Sequence, residues 1–316
     1  MVNWEERRLI VKVANLYYFE GRTQAQIAKA IGVSRPVISK LLHRAKEEGI
    51  VEVYIKDENA HTVELEKKLE KKYDLKEVIV VPTRGLTPEM IKRSIGKATS
   101  FYISKKIKSI RSLGISWGRT ISSFVQEYPY EQVQDLKIVP LVGGMGREFV
   151  EIHSNLLAYQ LAKKMSCNCS YLYAPAMVET EGLKERLVQS EDIANVLLEG
   201  QSVDLAIVGI GNPFDNSTMI KMGYLKEEDL QTLKKVGAVG DIGSQFIDIS
   251  GKPISHPLNN KVIGLQLEQL KNIPNVIGII EGKHKVDSLK ATLKGNYLDV
   301  VIMDDQIANQ LSKNIS

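Results

Sequence analysis

The chain has 316 residues, 43% hydrophobic and 25% charged, the composition of a soluble globular protein long enough for one large domain beside a small one, or for two medium ones. Aromatic content of 6% argues against a stacking platform for single-stranded nucleic acid. No apolar run approaches the roughly 20 residues that span a bilayer, so no membrane partner is expected. The net charge of +4 is unevenly placed: residues 1–56 carry ten Lys or Arg against six Asp or Glu, whereas the rest of the chain balances at 32 of each. A basic surplus confined to a small N-terminal unit points to a polyanion partner for that unit. The opening MVNWEERRLI carries charges where a secretory leader needs an apolar core, so a cytoplasmic location is expected.

In chain order, apolar Leu9, Val13, Leu16 and Tyr17 recur at helical spacing and Gly21 closes the segment. Thr23 followed by Gln26 is a capping-box start for a short helix through Ile27, Ala28 and Ala30. Gly32 supplies a sharp turn, Ser34 is expected to cap a second helix, and Pro36 lies in its first turn, where a missing N–H does no harm. Val37, Leu41 and Leu42 are expected to face inward, leaving Arg35, Ser39, Lys40, His43 and Arg44 outside. A short helix, a glycine turn and a helix with a basic N-terminal face make a helix-turn-helix; the bland alternative is a helical hairpin with a solvated outer face. The helix from Ser34 is expected to enter the major groove of double-stranded DNA. There Arg35, Ser39 and Lys40 would reach base edges or phosphates, and His43 and Arg44 the flanking backbone. Thr23, Gln24 and Ser34, at the starts of the two helices, complete the DNA-contact candidates. GIVEVYIK, from Gly49, alternates like the strand of a wing.

Residues 57–75 are charged, with Leu65, Leu69 and Tyr73 spaced four apart, and read as a linker helix with one narrow apolar stripe. The pattern does not choose between the body and a partner chain as its cover. From residue 76 to 316, KEVIVVP, LGISW, LKIVPLVGG, VDLAIVGIG, NVIGIIEG and LDVVIMDD alternate with amphipathic segments. That alternation predicts an α/β domain around a mostly parallel sheet. Ligands of such sheets gather at the carboxyl ends of the strands. SWGRT puts Gly118 there, with Ser116, Arg119 and Thr120 able to donate to a phosphate at a helix start. LVGGMG adds Gly143 and Gly144, GIGNP Gly211, GAVGDIG Gly240, and EGKHK Lys283 and Lys285. Together these corners favour a polar small molecule. None is a G-x-G-x-x-G at a strand-to-helix start and none is a P-loop, so no dinucleotide or ATP cofactor is expected. Cys167 and Cys169, one residue apart, read as reduced core residues rather than a disulfide or metal site. The histidines (His43, His61, His153, His256, His284) are scattered with no catalytic spacing; His153 beside Glu151 reads as a surface pair at a helix start. No catalytic and no metal site is expected.

With both parts in place, the chain resembles the SorC-type sugar-binding transcriptional regulators, also called DeoR-like. The carriers are YFEGRTQAQIAKAIGVSRPVISKLLHRAKEEGIV, GISWGRT, VPLVGGMG, AVGDIGSQFID and GKHKVDSLKATLKGNYLDVVIMDDQIANQL, in that order over nearly the whole length. The resemblance implies residues 1–56 as DNA-binding domain, 57–75 as linker helix and 76–316 as an effector domain akin to sugar-phosphate isomerases and deaminases. It implies a non-enzymatic repressor or activator whose operator affinity responds to a phosphorylated sugar or related metabolite, assembled as a homo-oligomer, dimer or tetramer. On that basis the phosphate sits at Gly118, Arg119 and Thr120 with Lys285 as cationic partner. Asp241 accepts from sugar hydroxyls, and Gly143, Gly144 and Asn155 line the pocket beside Ser116. Many relatives read Gly-Gly-x-x-Lys where this chain has Glu281-Gly282-Lys283-His284-Lys285, and an acid beside a phosphate is unfavourable unless Glu281 points away. The alternatives are a sugar-phosphate isomerase or deaminase with an appended DNA-binding domain, since Asp241 could join an acid–base pair, and an architectural DNA-binding protein whose second domain is purely structural.

Overall fold

The computed structural model describes residues 4–51, 60–144 and 148–313, and the chain forms two compact units, residues 1–60 and 61–316. The N-terminal unit packs three helices, α1 (Trp4–Tyr18), α2 (Gln24–Ile31) and α3 (Arg35–Glu47). Thr23 closes a full capping box: its N–H donates to Gln26 Oε1 (2.9 Å) and its hydroxyl accepts from the Gln26 N–H (3.3 Å). Gly32, left-handed at φ 82°, ends α2 and turns the chain toward α3.

The core of this unit is Ile10, Val13 and Ala14 from α1, Ile27 and Ala28 from α2, and Ile38, Leu41, Leu42 and Ala45 from α3. Two sequence expectations fail here. Val37 does not face inward but is 41% exposed. The buried stripe runs i, i+3, i+4, i+7 from Ile38, and Val37 lies one step off it. Ser34 has N-cap backbone geometry yet makes no capping bond through its side chain; its carbonyl accepts from the Val37 N–H at 3.0 Å. Of the expected wing, residues 52–56 lie outside the described residues.

The larger unit is built on β1 (Glu77–Val81), β2 (Ser112–Ile115), β3 (Lys137–Pro140), β4 (Asn168–Cys169), β5 (Leu205–Gly211), β6 (Ala238–Ile242), β7 (Gln245–Asp248), β8 (Val276–Ile280) and β9 (Val300–Asp304). The order β1-β9-β8-β5-β2-β3-β4 is parallel throughout, and the antiparallel hairpin β6–β7 hangs from the end of β5, with Gly211 opposite Asp241. Parallel strands are covered on both faces, so their side chains alternate between two cores rather than between core and water. Ile207, Ile277 and Ile279 join the core beneath α5 (Pro88–Lys106), α6 (Arg119–Glu127) and α7 (Ser154–Met165). Their neighbours Ala206, Val208, Val276 and Ile280 join the opposite core, with Leu289, Leu293, Ile307 and Leu311 of the last two helices.

The stripe left open by the sequence packs on this second core: α4 (Ala60–Tyr73) buries Leu65 and Leu69 beside Val78 and Val80 of β1. Its acidic residues are also engaged. Glu66 and Glu70 accept the N–H groups of Val80 (2.8 Å) and Val78 (2.9 Å), satisfying the free edge of β1 that would otherwise be open to pairing. Among the described residues no helix is long and apolar enough to cross a membrane.

The headpiece packing is tested by a pair of neighbours. Ile38→Ala is expected to destabilise the three-helix unit by about 2–5 kcal/mol, and Val37→Ala by less than about 0.5 kcal/mol. Amide hydrogen exchange across α1–α3 reads both.

Candidate effector-binding site

The carboxyl ends of β2, β5 and β8 open into one cleft. Its lining includes Gly118, Arg119, Thr120, Asp241 and Lys285, together with Lys92, Trp117, Asn212, Ser217 and Glu281. Each corner is made differently. After β2 the chain turns at Gly118 with φ 129°, a backbone region that disfavours any side chain. The turn starts α6, whose Arg119, Thr120 and Ile121 N–H groups have no backbone partner among the described residues and line the cleft. Gly118 itself contributes shape and not a donor, because its N–H is given to the Ile152 carbonyl at 3.1 Å. Thr120 is buried, and the Arg119 guanidinium lies over the Phe149 ring, 5.6 Å from its centroid.

At β5 the closing element is the hairpin β6–β7. Its two-residue turn, Gly243 and Ser244, has positive φ at both positions, 55° and 71°, as a tight hairpin turn requires. Ser244 is fully buried, and its hydroxyl accepts from the Trp117 indole N–H at 3.0 Å, tying the hairpin tip to the corner before α6. Asp241 thereby lies across the end of β5. A Cβ on Gly211 would fall 1.9 Å from Asp241 Oδ1, so glycine at 211 makes room for the carboxylate. Burial pushes the Asp241 carboxyl up to about 6, against the pull of Lys285 and of the Ser244 N–H.

After β8 the turn at Gly282 is fixed from the neighbouring strand. Buried Asp304 accepts the Gly282 N–H (2.7 Å) through one oxygen and caps the final helix at Ile307 (2.8 Å) through the other. Lys285, at the end of the turn, makes no hydrogen bond through its side chain and no ion pair among the described residues. It is half-buried by exposed area, yet enough protein surrounds it to lower the ammonium's pKa, opposed by Glu281 and Asp241. Glu281 does not point away: it lines the cleft with its carboxylate 3.9 Å from Lys92 Nζ.

Four candidates take other places. Ser116 is buried on the far side of the corner, beside a small apolar cavity with Leu141, Val208 and Leu267. Asn155 spends both ends of its amide on Leu172, donating to the carbonyl (3.0 Å) and accepting from the N–H (2.9 Å), so it splints a loop. The Gly143 N–H goes to Ile263 O, and a Cβ there would meet Ala174 O at 2.5 Å; the Gly144 N–H goes to Ala174 O. These two glycines permit close backbone packing. Gly240 is no strand-end corner either; it lies inside β6, where a Cβ would strike Ser288 at 2.6 Å. His153 is buried rather than on the surface, with Nε2 3.0 Å from the Glu148 carbonyl.

On the headpiece, Arg35, Ser39, Lys40 and His43 are exposed along α3, His43 within 3.2 Å of Glu47. Arg44 is turned inward to a structural task, because acids flank it on two helices: it pairs with Glu6 of α1 and with Glu48 at 2.7 Å. Thr23 is committed to its cap, Gln24 is half-buried, and Ser34 is exposed. Of the residues the sequence reading missed, Asn212 and Trp117 sat inside quoted motifs. Asp304 carried the signal of an acid between a strand and a helix; Lys92 carried none.

The Sugar-bind family of sugar-binding domains matches residues 57–313, and the MarR family matches residues 13–59. The sorbitol operon regulator of Klebsiella pneumoniae is 30% identical over 315 residues, 99% of this chain and 100% of its own. The chain belongs to the SorC family of sugar-binding transcriptional regulators. Within the family, the deoxyribonucleoside regulator of Bacillus subtilis is 30% identical over 311 residues, 98% of this chain and 99% of its own. Among solved family structures, full-length SorC from K. pneumoniae gives a TM-score of 0.76 at 30% identity, covering 97% of this chain and 99% of that one. A DeoR family regulator from Listeria monocytogenes gives 0.75 at 42% identity, over 79% of this chain and 98% of its own.

Asp241 makes stability depend on pH with a definite sign. Its folded-state pKa lies above the unfolded one, so the folded protein binds the proton more tightly and this group's contribution is lost as pH rises through about 6. The interval from 3.8 to about 6 corresponds to about 3 kcal/mol. Asp241→Asn is expected to gain on the wild type by up to that amount between acid and neutral pH, read as the difference between their denaturant midpoints.

Proposed function

We propose that the cleft binds a phosphorylated sugar or a closely related metabolite and that occupancy changes the affinity of the assembled protein for its operator. The observation that carries this reading is Lys285: a crowded ammonium with no ion-pair partner, lining the same cleft as the free N–H groups that start α6. A helix N-terminus and a poorly hydrated cation both favour an anion, and a phosphate satisfies both. Asp241 and Asn212 supply the polar contacts that hydroxyls need. The names of the relatives, a sorbitol operon regulator and a deoxyribonucleoside regulator, fit a carbohydrate ligand. At the other end of the chain, α3 enters the major groove with Arg35, Ser39 and Lys40 facing the DNA, as its exposed polar face supports. The protein acts in the cytoplasm as a homo-oligomer, a dimer or tetramer whose arrangements bind the effector unequally; without that inequality no switching follows.

A second reading, a sugar-phosphate isomerase or deaminase, has one observation in its favour: a carboxyl moved to about 6, suited to proton transfer. Against it, the cleft lining contains no histidine and its other carboxylate faces Lys92. Turnover of a sugar phosphate, abolished by Asp241→Asn, would favour the enzyme.

The test is titration of operator DNA, recovered by binding-site selection, with a panel of sugar phosphates; no change with any of them sinks the switch. Thr120→Val is expected to weaken the effector response about tenfold and Lys285→Ala about ten- to a hundredfold, with DNA binding retained. Arg35→Ala is expected to cost about tenfold or more in operator affinity and to leave effector binding, read by calorimetry, intact.

A further inference from the structure

We propose that Glu281 is a specificity residue of the cleft: it confines the ligand to a single phosphate and accepts hydroxyls from the opposite end. The inference rests on the reading above, in which an anionic group docks at the start of α6. The strand order sets β8 two places from β2, with β5 between them. At about 4.8 Å per strand the two corners are roughly 10 Å apart, the span of a sugar phosphate. Glu281, at the end of β8, therefore meets the part of the ligand remote from Gly118–Thr120.

What a ligand finds there is decided by charge. The cleft gathers three cations, Lys92, Arg119 and Lys285, and two carboxylates, Asp241 and Glu281, an excess of one positive charge. A single dianionic phosphate at α6 uses that excess. A second would need Lys92 and Lys285, but Glu281 already faces Lys92 at 3.9 Å and is the carboxylate acting most strongly on Lys285. A phosphate placed among them lies beside an acid in poorly hydrated surroundings, where like charges repel strongly. Hydroxyls do the reverse, because an ionised carboxylate only accepts hydrogen bonds and hydroxyls donate them.

Calorimetry on the full chain, at a pH where the phosphates are dianionic, tests this with inorganic phosphate and matched mono- and bisphosphates of five- and six-carbon sugars. The wild type is expected to bind a monophosphate at least about tenfold more tightly than its matching bisphosphate. Glu281→Gln is expected to tighten the bisphosphate about tenfold and to change the monophosphate by less than about threefold. Wild-type binding of bisphosphates as tight as monophosphates, or a bisphosphate affinity unmoved by the substitution, overturns the inference and leaves the effector reading standing. Absence of binding by every phosphate overturns both. Should Glu281→Gln fail to fold, Lys92→Gln tests the same balance in reverse. With Glu281 unopposed, the preference for the monophosphate is expected to widen about tenfold, and an unchanged or narrower preference overturns the proposal.

Discussion

A lysine ammonium and an aspartate carboxylate share a cleft too crowded to hydrate either well, and the ends of the sheet are arranged around that pair. Desolvation acts on both at once, lifting the Asp241 carboxyl to about 6 and lowering the Lys285 ammonium, while each opposes the shift of the other. Such groups cannot be left to find their own places. Asp241 is set by the hairpin β6–β7, and that hairpin is held at its tip by the Trp117 indole. Lys285 is set by the turn at Gly282, which Asp304 holds from the next strand. The polar side chains of the cleft are thus fixed by a second ring of buried hydrogen bonds, and the pocket is built before any ligand arrives.

The same economy of polar groups recurs away from the cleft. Glu66 and Glu70 reach from α4 to the open edge of β1, Asn155 holds the backbone of Leu172, and Arg44 joins α1 to α3 through Glu6 and Glu48. In each case a side chain that a sequence reader assigns to solvent or to a ligand instead satisfies backbone groups or charges that the fold has placed nearby. Buried or edge N–H and C=O groups must find partners, and long polar side chains are the available ones.

That is why the architecture was readable and the site only partly so. The parallel sheet announces itself through near-continuous apolar runs such as VDLAIVGIG and LDVVIMDD, which only a strand covered on both faces requires. The headpiece announces itself through Thr23, Gly32 and Pro36, whose backbone preferences are local. Gly118, Arg119, Thr120, Asp241 and Lys285 were found because they lie at the ends of legible strands or in quoted motifs. Glycine proved the least reliable guide. Gly118 turns a corner at the cleft and Gly211 admits a carboxylate, whereas Gly143 and Gly240 only let backbone pack closely, and sequence spacing does not distinguish these uses.

The order of amino acids by itself determined a basic helix-turn-helix followed by an α/β domain with a polar site at its strand ends, because helix caps, turn residues and hydrophobic period act over a few neighbours. Tertiary structure decided which polar residues share the cleft. Lys92 meets Glu281 across 189 positions of chain, Trp117 meets Ser244 across 127, and Gly282 meets Asp304 across 22. Those meetings depend on strand order and on what remains unsatisfied once the cores have packed, and no local pattern encodes either.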